Sequence, residues 1–396
     1  MMKEGWEYKT LGMICKIYNG NSINADYKKT HYMGLTKGYP FIATKDVSFD
    51  GTINYENGVK IPFDEGLKVA KPSSVFICVE GGSAGRKIGL VDRDVCFGNK
   101  LFCLESKGSV LGPFIYYYLK SGLFQQQFAE RLTGLIGGVS AKKFNDISII
   151  YPSLSEQQSI VEYLDSSFAK IDKLKENAAK NLEEAKALFQ SALKDALEPK
   201  EGWEEKTLED ICDFIRGPFG GSLKKDCFKE RGYAVYEQQN AIYNRFTFRY
   251  YIDEVKYQSM IRFKVNPGDL IMSCSGTIGK VAIIPQNAEA GIINQALLKL
   301  TPHKEIKAHY LKYLMESKYF EEIINANIEG VAIKNIASVA TLKKIAIVIP
   351  SISEQQSIVS FLDSLNEKLN TLQQNYSRIC DECDALKQAI LRQVFE

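Results

Sequence analysis

Two stretches of the chain carry apolar residues in alternating steps of three and four. One runs through Leu362, Leu365, Leu369, Leu372, Tyr376, Ile379, Cys383, Leu386 and Ile390, the heptad spacing that gives a helix one continuous seam. The other is less regular and runs through Leu164, Phe168, Ile171, Leu174, Ala178, Leu182, Ala185, Phe189 and Ala192. Neither stretch contains Gly or Pro, so each predicts one long helix that needs a partner. A helix over 154–197 would be ~65 Å long at ~1.5 Å per residue. The simplest partner for each helix is the other, packed antiparallel with the globular parts at opposite ends. Elsewhere the apolar runs are short. Ser74–Val79, Leu270–Met272, Val281–Ile284 and Ile345–Ile349 predict strands, and Phe114–Leu132 and Ile306–Asn325 predict amphipathic helices.

The pattern is written twice. Pro152–Val161 reads PSLSEQQSIV and Pro350–Val359 reads PSISEQQSIV, while Glu4–Leu11 reads EGWEYKTL and Glu201–Leu208 reads EGWEEKTL. Ser153 and Ser351 stand three residues before Glu156 and Glu354, the spacing of a capping box at a helix start. Pro199 with Gly202 ends the first helix and opens the second copy. The domains expected are therefore 1–152 and 199–350, both globular, with long helices over 153–198 and 351–396. The fold class is mixed α+β: two α/β units joined by two long antiparallel coiled-coil helices, with an internal pseudo-twofold repeat. Between the anchors the halves diverge, as two differently tuned surfaces on one frame would.

Composition adds limits. The chain has 396 residues, 45% of them hydrophobic, and a net charge of +2. No apolar run reaches transmembrane length and the first residues, MMKEGWEYK, lack a signal-peptide core, so the cytoplasm is the expected compartment. Nine cysteines without a framework fit reduced thiols. Divided by segment the charge is uneven. Residues 1–151 hold 19 basic against 14 acidic side chains and residues 199–350 hold 21 against 18, whereas 152–198 hold 6 against 9 and 351–396 hold 4 against 7. Positive charge sits in the diverged regions, as a polyanion partner would favour.

Catalytic patterns are sparse. No Gly-rich strand-to-helix turn of the dinucleotide or S-adenosylmethionine type is present. Gly276-Thr-Ile-Gly279-Lys280 departs from a phosphate loop in its spacing and in the Val281 that follows the lysine. It and Gly82–Gly89, which includes Arg86 and Lys87, read better as tight turns that offer backbone to a ligand. His31, His303 and His309 are the only histidines, and Cys380-x-x-Cys383 lacks the two further ligands of a zinc site while Cys383 falls on the helical seam. No metal site and no catalytic residue are expected. The chain reads as a binding device.

Binding residues are sought where the halves differ at equivalent places. Phe41–Val47 aligns with Val235–Ala241, an apolar strand ending in polar residues in both. Gln and Asn fit adenine edges, Lys and Arg guanine, Glu the cytosine amino group. This nominates Thr44 and Lys45 in one half and Gln238, Gln239 and Asn240 in the other as base readers. Lys28 and Lys29, and Arg216, Lys224, Lys225, Arg245 and Arg249, are candidates for phosphate, joined by Arg86, Lys87 and Lys280 from the glycine turns. Each of these side chains taken alone is equally compatible with a solvated surface.

The repeated Pro-Ser-x-Ser-Glu-Gln-Gln-Ser-Ile-Val, the Gly-Trp-Glu-x-Lys-Thr-Leu openings at Gly5 and Gly202, the Gly-Pro-Phe-Gly-Gly-Ser stretch at Gly217–Ser222, and the glycine turns before Asn99-Lys100 and Asn294-Gln295 resemble the specificity subunits of type I restriction-modification systems over the full length. The first half departs at Tyr18-Asn19-Gly20-Asn21-Ser22, where the second has the fuller glycine loop. The resemblance implies two target recognition domains, each reading half of a bipartite double-stranded DNA site, joined by helices that serve as ruler and docking surface. It implies no activity alone. Two methyltransferase subunits would bring S-adenosylmethionine for adenine methylation, and two restriction subunits would bring ATP- and Mg-dependent translocation and cleavage. The expected docking positions are Glu156, Gln157, Leu164 and Ile171 on the first helix and Glu354, Gln355, Leu362 and Leu369 on the second. A specificity subunit of a related methyltransferase–nuclease system, or a coiled-coil scaffold that does not read DNA, is the alternative.

Overall fold

The two segments that each half copies most faithfully lie side by side. In the computed structural model, which describes residues 5–133, 137–219, 221–275, 277, 279–327 and 339–396, Glu7–Thr10 pairs antiparallel with Ser148–Tyr151 and Glu204–Thr207 with Ala346–Ile349. The second strand of each pair runs straight into the Pro-Ser helix start. Ser153 Oγ accepts the Glu156 N–H at 3.4 Å and Ser351 Oγ the Glu354 N–H at 3.3 Å. Glu156 accepts the Trp6 indole N–H at 3.2 Å, which ties one repeated segment to the other.

Inside each half stands a four-stranded antiparallel sheet. Its order is Cys15–Asn19, Leu101–Ser106, Val75–Cys78, Ile88–Leu90 in the first and Cys212–Arg216, Leu297–Pro302, Leu270–Ser273, Val281–Ile283 in the second. Successive residues of the central strand face opposite sides, as the period of two requires. Val75 and Ile77 join one apolar cluster and Phe76 and Cys78 another, which is why the run is apolar without alternation. A second sheet is built on a parallel pair, Tyr39–Ile42 with Val95–Phe97 and Tyr233–Tyr236 with Gly291–Ile293. The four strands expected from the apolar runs are all present.

The two expected amphipathic helices are each broken in two. Gly112–Lys120 is followed by Gly122–Ala129, and Ala308–Glu316 by Lys318–Asn327. Ser121 and Ser317 cause the break. Ser121 Oγ donates to Tyr118 O at 2.7 Å and accepts from Phe124 N at 3.3 Å; Ser317 does the same with Leu314 and Phe320 at 2.6 and 3.2 Å. A buried serine thus ends one helix and caps the next.

The long helices span Leu154–Leu197 and Ile352–Phe395, 44 residues each. Two compact units form, Met1–Ala178 with Tyr376–Glu396 and Ala179–Asn375. Each contains the start of one long helix and the end of the other. In the first unit these pieces are antiparallel: Lys175 meets Asp384 at 2.8 Å, Asp172 meets Lys387 at 2.5 Å, and Cys383 lies against Ile171. In the second unit Leu193 and Leu197 enter the core that also holds Ile358 and Leu362.

The heptad seam is corrected in part. Leu174, Leu372 and Leu386 are exposed, and the buried stripe of the last turns is Cys383, Leu391 and Phe395. Here the helix docks on a globular core rather than on one supercoiled partner, so the stripe follows steps of four: Phe395 sits 5.3 Å from Phe114 and 5.7 Å from Tyr118, ring to ring.

Candidate nucleic-acid interface

In the first unit the strand Tyr39–Ile42 leads into a tight turn, Thr44–Asp46. Asp46 is buried and its carboxylate accepts the Ala43 N–H at 2.9 Å, which leaves Thr44 and Lys45 on the outside of the turn. Lys87 Nζ donates to Thr44 O at 2.9 Å, and Lys87 and Arg86 both lie 5.3 Å from the exposed Phe49 ring. Lys28 covers the Phe41 ring at 4.9 Å and lines a shallow recess with Thr44, Asn99 and Lys100. The structure therefore gathers Lys28, Thr44, Arg86 and Lys87 around one turn. Lys29 and Lys45 are exposed beside them in sequence. Phe49 was not anticipated; a lone aromatic between polar residues carries no sequence signal.

The second unit repeats the strand and turn with other side chains. Tyr233–Tyr236 leads into the helix Gln238–Tyr243. Asn240 occupies the place of Asp46 and is 1% exposed. Its Oδ1 accepts from Glu237 N at 2.7 Å and its Nδ2 donates to Arg245 O at 2.7 Å and Thr247 O at 3.3 Å. Asn240 is thus corrected from base reader to buried cap, since no edge of its amide is left for a base. Glu237, in the aligned segment but not among the nominated residues, gathers the donors around it. It accepts from Arg249 Nε at 3.0 Å, Arg249 Nη2 at 2.9 Å and Gln239 Nε2 at 3.3 Å. Beside it Gln238 Oε1 is buried and has no hydrogen-bond partner among the described residues.

The other candidates lie on other elements, apart from Arg245, whose carbonyl accepts from Asn240. Lys224 and Lys225 are exposed at the turn Lys225–Cys227, and Arg245 is exposed after Asn244, whose φ of +48° turns the chain. Arg216 ends a strand beside Cys274, whose thiol burial pushes up to about 11. Lys280 opens the strand Val281–Ile283, its N–H on Ser273 Oγ at 3.0 Å. Gly276 and Ile278 of that turn, Gly220 of the Gly217–Ser222 stretch and Glu4 of the opening repeat lie outside the described residues. Gly20 and Gly217 prove equivalent: a Cβ would come within 2.3 Å of Phe97 O in one and 1.8 Å of Asn294 O in the other. Only glycine lets the two backbones pass so closely.

The expected docking positions are corrected too. Gln157 is fully buried, its Oε1 accepting from Leu111 N at 2.8 Å and its Nε2 donating to Ser109 O at 3.1 Å and Pro152 O at 2.9 Å. Gln355 makes the same three bonds, to Lys307 N at 2.8 Å and to Glu305 O and Pro350 O at 3.0 Å each. These glutamines latch each helix start to its own unit. Leu164, Ile171 and Leu362 are buried and Leu369 half-buried, Leu164 and Leu362 each in the core of its own unit, so little of these side chains is open to a partner. Glu156 is engaged with Trp6, and Glu354 is half-buried. Among the residues exposed at both helix starts are large apolar ones: Leu154 and Tyr163 on the first helix, Ile352 and Phe361 at the same places on the second. Behind them Tyr117 bonds to Asp165, and Tyr313 to Asp363 at 2.7 Å.

The profile of the type I restriction modification DNA specificity domain matches residues 3–184 and again 200–379. The chain belongs to this family. It is the DNA specificity subunit of a type I restriction-modification system, with two recognition domains, and not itself the catalyst. Such a subunit binds DNA and assembles with other subunits. A curated relative, the type I restriction enzyme EcoBI specificity subunit of Escherichia coli, is 22% identical over 99% of this chain and 86% of its own length. Among solved structures, a chain from a study of complex assembly and conformational transition of the type I system superposes with a TM-score of 0.79 at 17% identity, covering 100% of this subunit and 99% of that chain. The HsdS subunit of Thermoanaerobacter tengcongensis gives 0.58 at 18% identity, covering 99% and 97%. At these identities the two structures speak for the fold. No described helix of the subunit is long and apolar enough to cross a membrane.

Proposed function

We propose that each unit of this specificity subunit reads one half of a split duplex target, and that two methyltransferase subunits dock on the two helix starts, one on each. The first unit presents Lys28, Lys29, Thr44, Lys45, Arg86 and Lys87 to its half-site. The second presents Gln238, Gln239, Arg245 and Arg249, with Arg216, Lys224, Lys225 and Lys280 toward the phosphates. The methyltransferase subunits carry S-adenosylmethionine and supply the chemistry, and a flipped adenine is the group they modify. Restriction subunits that use ATP and Mg complete the assembly, which works in the cytoplasm.

One observation carries the docking assignment. Leu154 and Ile352 are 47% and 38% exposed, and Tyr163 and Phe361 are 49% and 51% exposed. Packing within the chain does not demand large apolar groups at these places, yet both copies have them. Two identical partners would need the same surface twice. The test is the stoichiometry of the complex assembled with Tyr163→Ala, Phe361→Ala and the double variant, read by native mass spectrometry. Each single change is expected to lose one methyltransferase subunit and the double change both. Full occupancy of the double variant would overturn the assignment.

A further inference from the structure

We infer that Arg249 reads a guanine in the half-site faced by the second unit, and that Glu237 is the residue that positions it. The inference rests on the assignment of 199–350 as a recognition domain. It differs from a phosphate contact, the role that a solvent-facing arginine on a basic surface would otherwise be given.

The Glu237 carboxylate is largely shielded, at 13% side-chain exposure, and Arg249 is 63% exposed. Nε and Nη2 each give one N–H to Glu237, at 3.0 and 2.9 Å. Those bonds use one edge of the guanidinium. Both N–H groups of Nη1 and the outer N–H of Nη2 remain, and that end of the fork is the pair of parallel donors that fits O6 and N7 of guanine in the major groove. The ring of Tyr250 lies 5.4 Å from the guanidinium carbon and is itself stacked on Phe228 at 4.4 Å and 20°. An arginine held on two sides loses little side-chain freedom when a base arrives.

Electrostatics separates the two roles. A carboxylate in bidentate contact offsets the arginine's positive charge where a phosphate would need it, and sets its own negative charge beside the incoming one. The guanine edge is neutral and asks only for directed donors. Glu237 therefore weakens a phosphate contact and improves a base contact.

Comparison with the first unit shows that the fold does not need the pair. Phe41 N bonds Val59 O at 3.0 Å and Val235 N bonds Tyr250 O at 2.9 Å, while Tyr39 faces Ile61 and Tyr233 faces Ile252 across the strands. By this register Ala43 stands where Glu237 is and Gly58 where Arg249 is. Both partners are absent together, and the same strands close without them. A pair present in one copy, dispensable for the frame and beside a Gln238 Oε1 that is buried without a hydrogen bond among the described residues, marks a difference in what the two units read.

The test uses the complete methyltransferase complex and maps methylated positions on a randomised DNA library, with the subunit unaltered or carrying Arg249→Ala, Arg249→Lys or Glu237→Gln. Arg249→Ala and Arg249→Lys are each expected to lower the preference for guanine at one base pair of one half-site by about ten-fold or more. Glu237→Gln is expected to relax the same base pair to a smaller degree, because it frees the arginine without removing it. The other half-site, still read, shows that the variants fold. A uniform loss over all sequences with a salt dependence reduced by about one ion would make Arg249 a phosphate contact and overturn the inference. Unchanged specificity, or relaxation at both half-sites, would overturn it as well. An unsplit target for the unaltered complex would instead remove the recognition-domain assignment, and the inference with it.

Discussion

The second unit buries Lys299 and Asp269 where the first buries Cys103 and Ser74. The register fixes the equivalence: Ile271 and Ile215 flank Lys299 as Phe76 and Tyr18 flank Cys103. Lys299 and Asp269 lie 3.7 Å apart at 5% and 3% side-chain exposure. Both groups make further bonds, Lys299 Nζ donating to Lys264 O at 2.6 Å and Asp269 accepting from Asn266 N at 2.8 Å and Thr301 Oγ1 at 2.7 Å. The first unit needs no charge there. A shared sheet thus accepts opposite chemistry in its interior so long as each polar group is met, and the faithful copying of the frame lies elsewhere.

The widest gap between the units should open when that pair is broken. Asp269→Ser leaves the Lys299 ammonium buried without its carboxylate, and a loss of about 3–5 kcal/mol is expected for the second unit. Adding Lys299→Cys imports the first unit's chemistry and should recover most of it. Urea unfolding checks this, followed through Trp203 with Trp6 replaced by Phe, since each unit holds one of the two tryptophans. If the double variant is as unstable as the single one, the pair does not act as a unit.

Where the units agree, equal damage should have equal effect. Gln157→Ala and Gln355→Ala each leave a part-buried N–H and two carbonyls, one of them buried, without their partner, which is expected to cost about 1–3 kcal/mol in the unit concerned. Single-tryptophan unfolding of each unit would measure both. A loss confined to one unit would show that the two latches are copies in sequence only.

These glutamines mark how far the sequence could be read. The repeat around them located the helix starts and paired the halves, and the apolar runs located four strands, because strand period and helix caps are local properties. Polarity then misplaced them. Gln157, Gln355 and Asn240 look like surface residues, and their burial depends on backbone groups such as those of Leu111, Lys307 and Arg245 that no local pattern brings near. Ser121 and Ser317 were hidden for the opposite reason: the amphipathic period continues across them, and only a bond back to the preceding turn ends the helix. Leu386 was placed on the seam by the heptad, which assumes a helical partner, whereas the final turns meet a globular core. The Glu237–Arg249 contact escaped because its members are 12 residues apart in sequence, and each alone reads as an ordinary surface charge.

The smallest expected difference is one of sign. Lys120 and Glu316 occupy the same place, the last residue of equivalent helices before Ser121 and Ser317. Burial, with Lys387 beside it, pushes the Lys120 ammonium down to about 8, and burial raises the Glu316 carboxyl above its ordinary 4.5 against Lys312 and Lys280. The unfolded chain holds the lysine proton up to its usual range near 10.5. Between about 8 and 10 the unfolded state therefore binds more protons, and stability of the first unit rises with pH, by about 1 kcal/mol in total given the partial exposure of Lys120. For Glu316 the folded state keeps its proton longer, so its contribution to the second unit's stability is fullest below 4.5 and is lost as pH rises through the raised value. Unfolding midpoints against pH, read through Trp6 alone and Trp203 alone, should slope upward in the alkaline window for the first unit and downward in the acid window for the second. Lys120→Met and Glu316→Gln should each flatten one slope and leave the other, and slopes of the same sign in the parent would show that the swapped charge does not govern either unit.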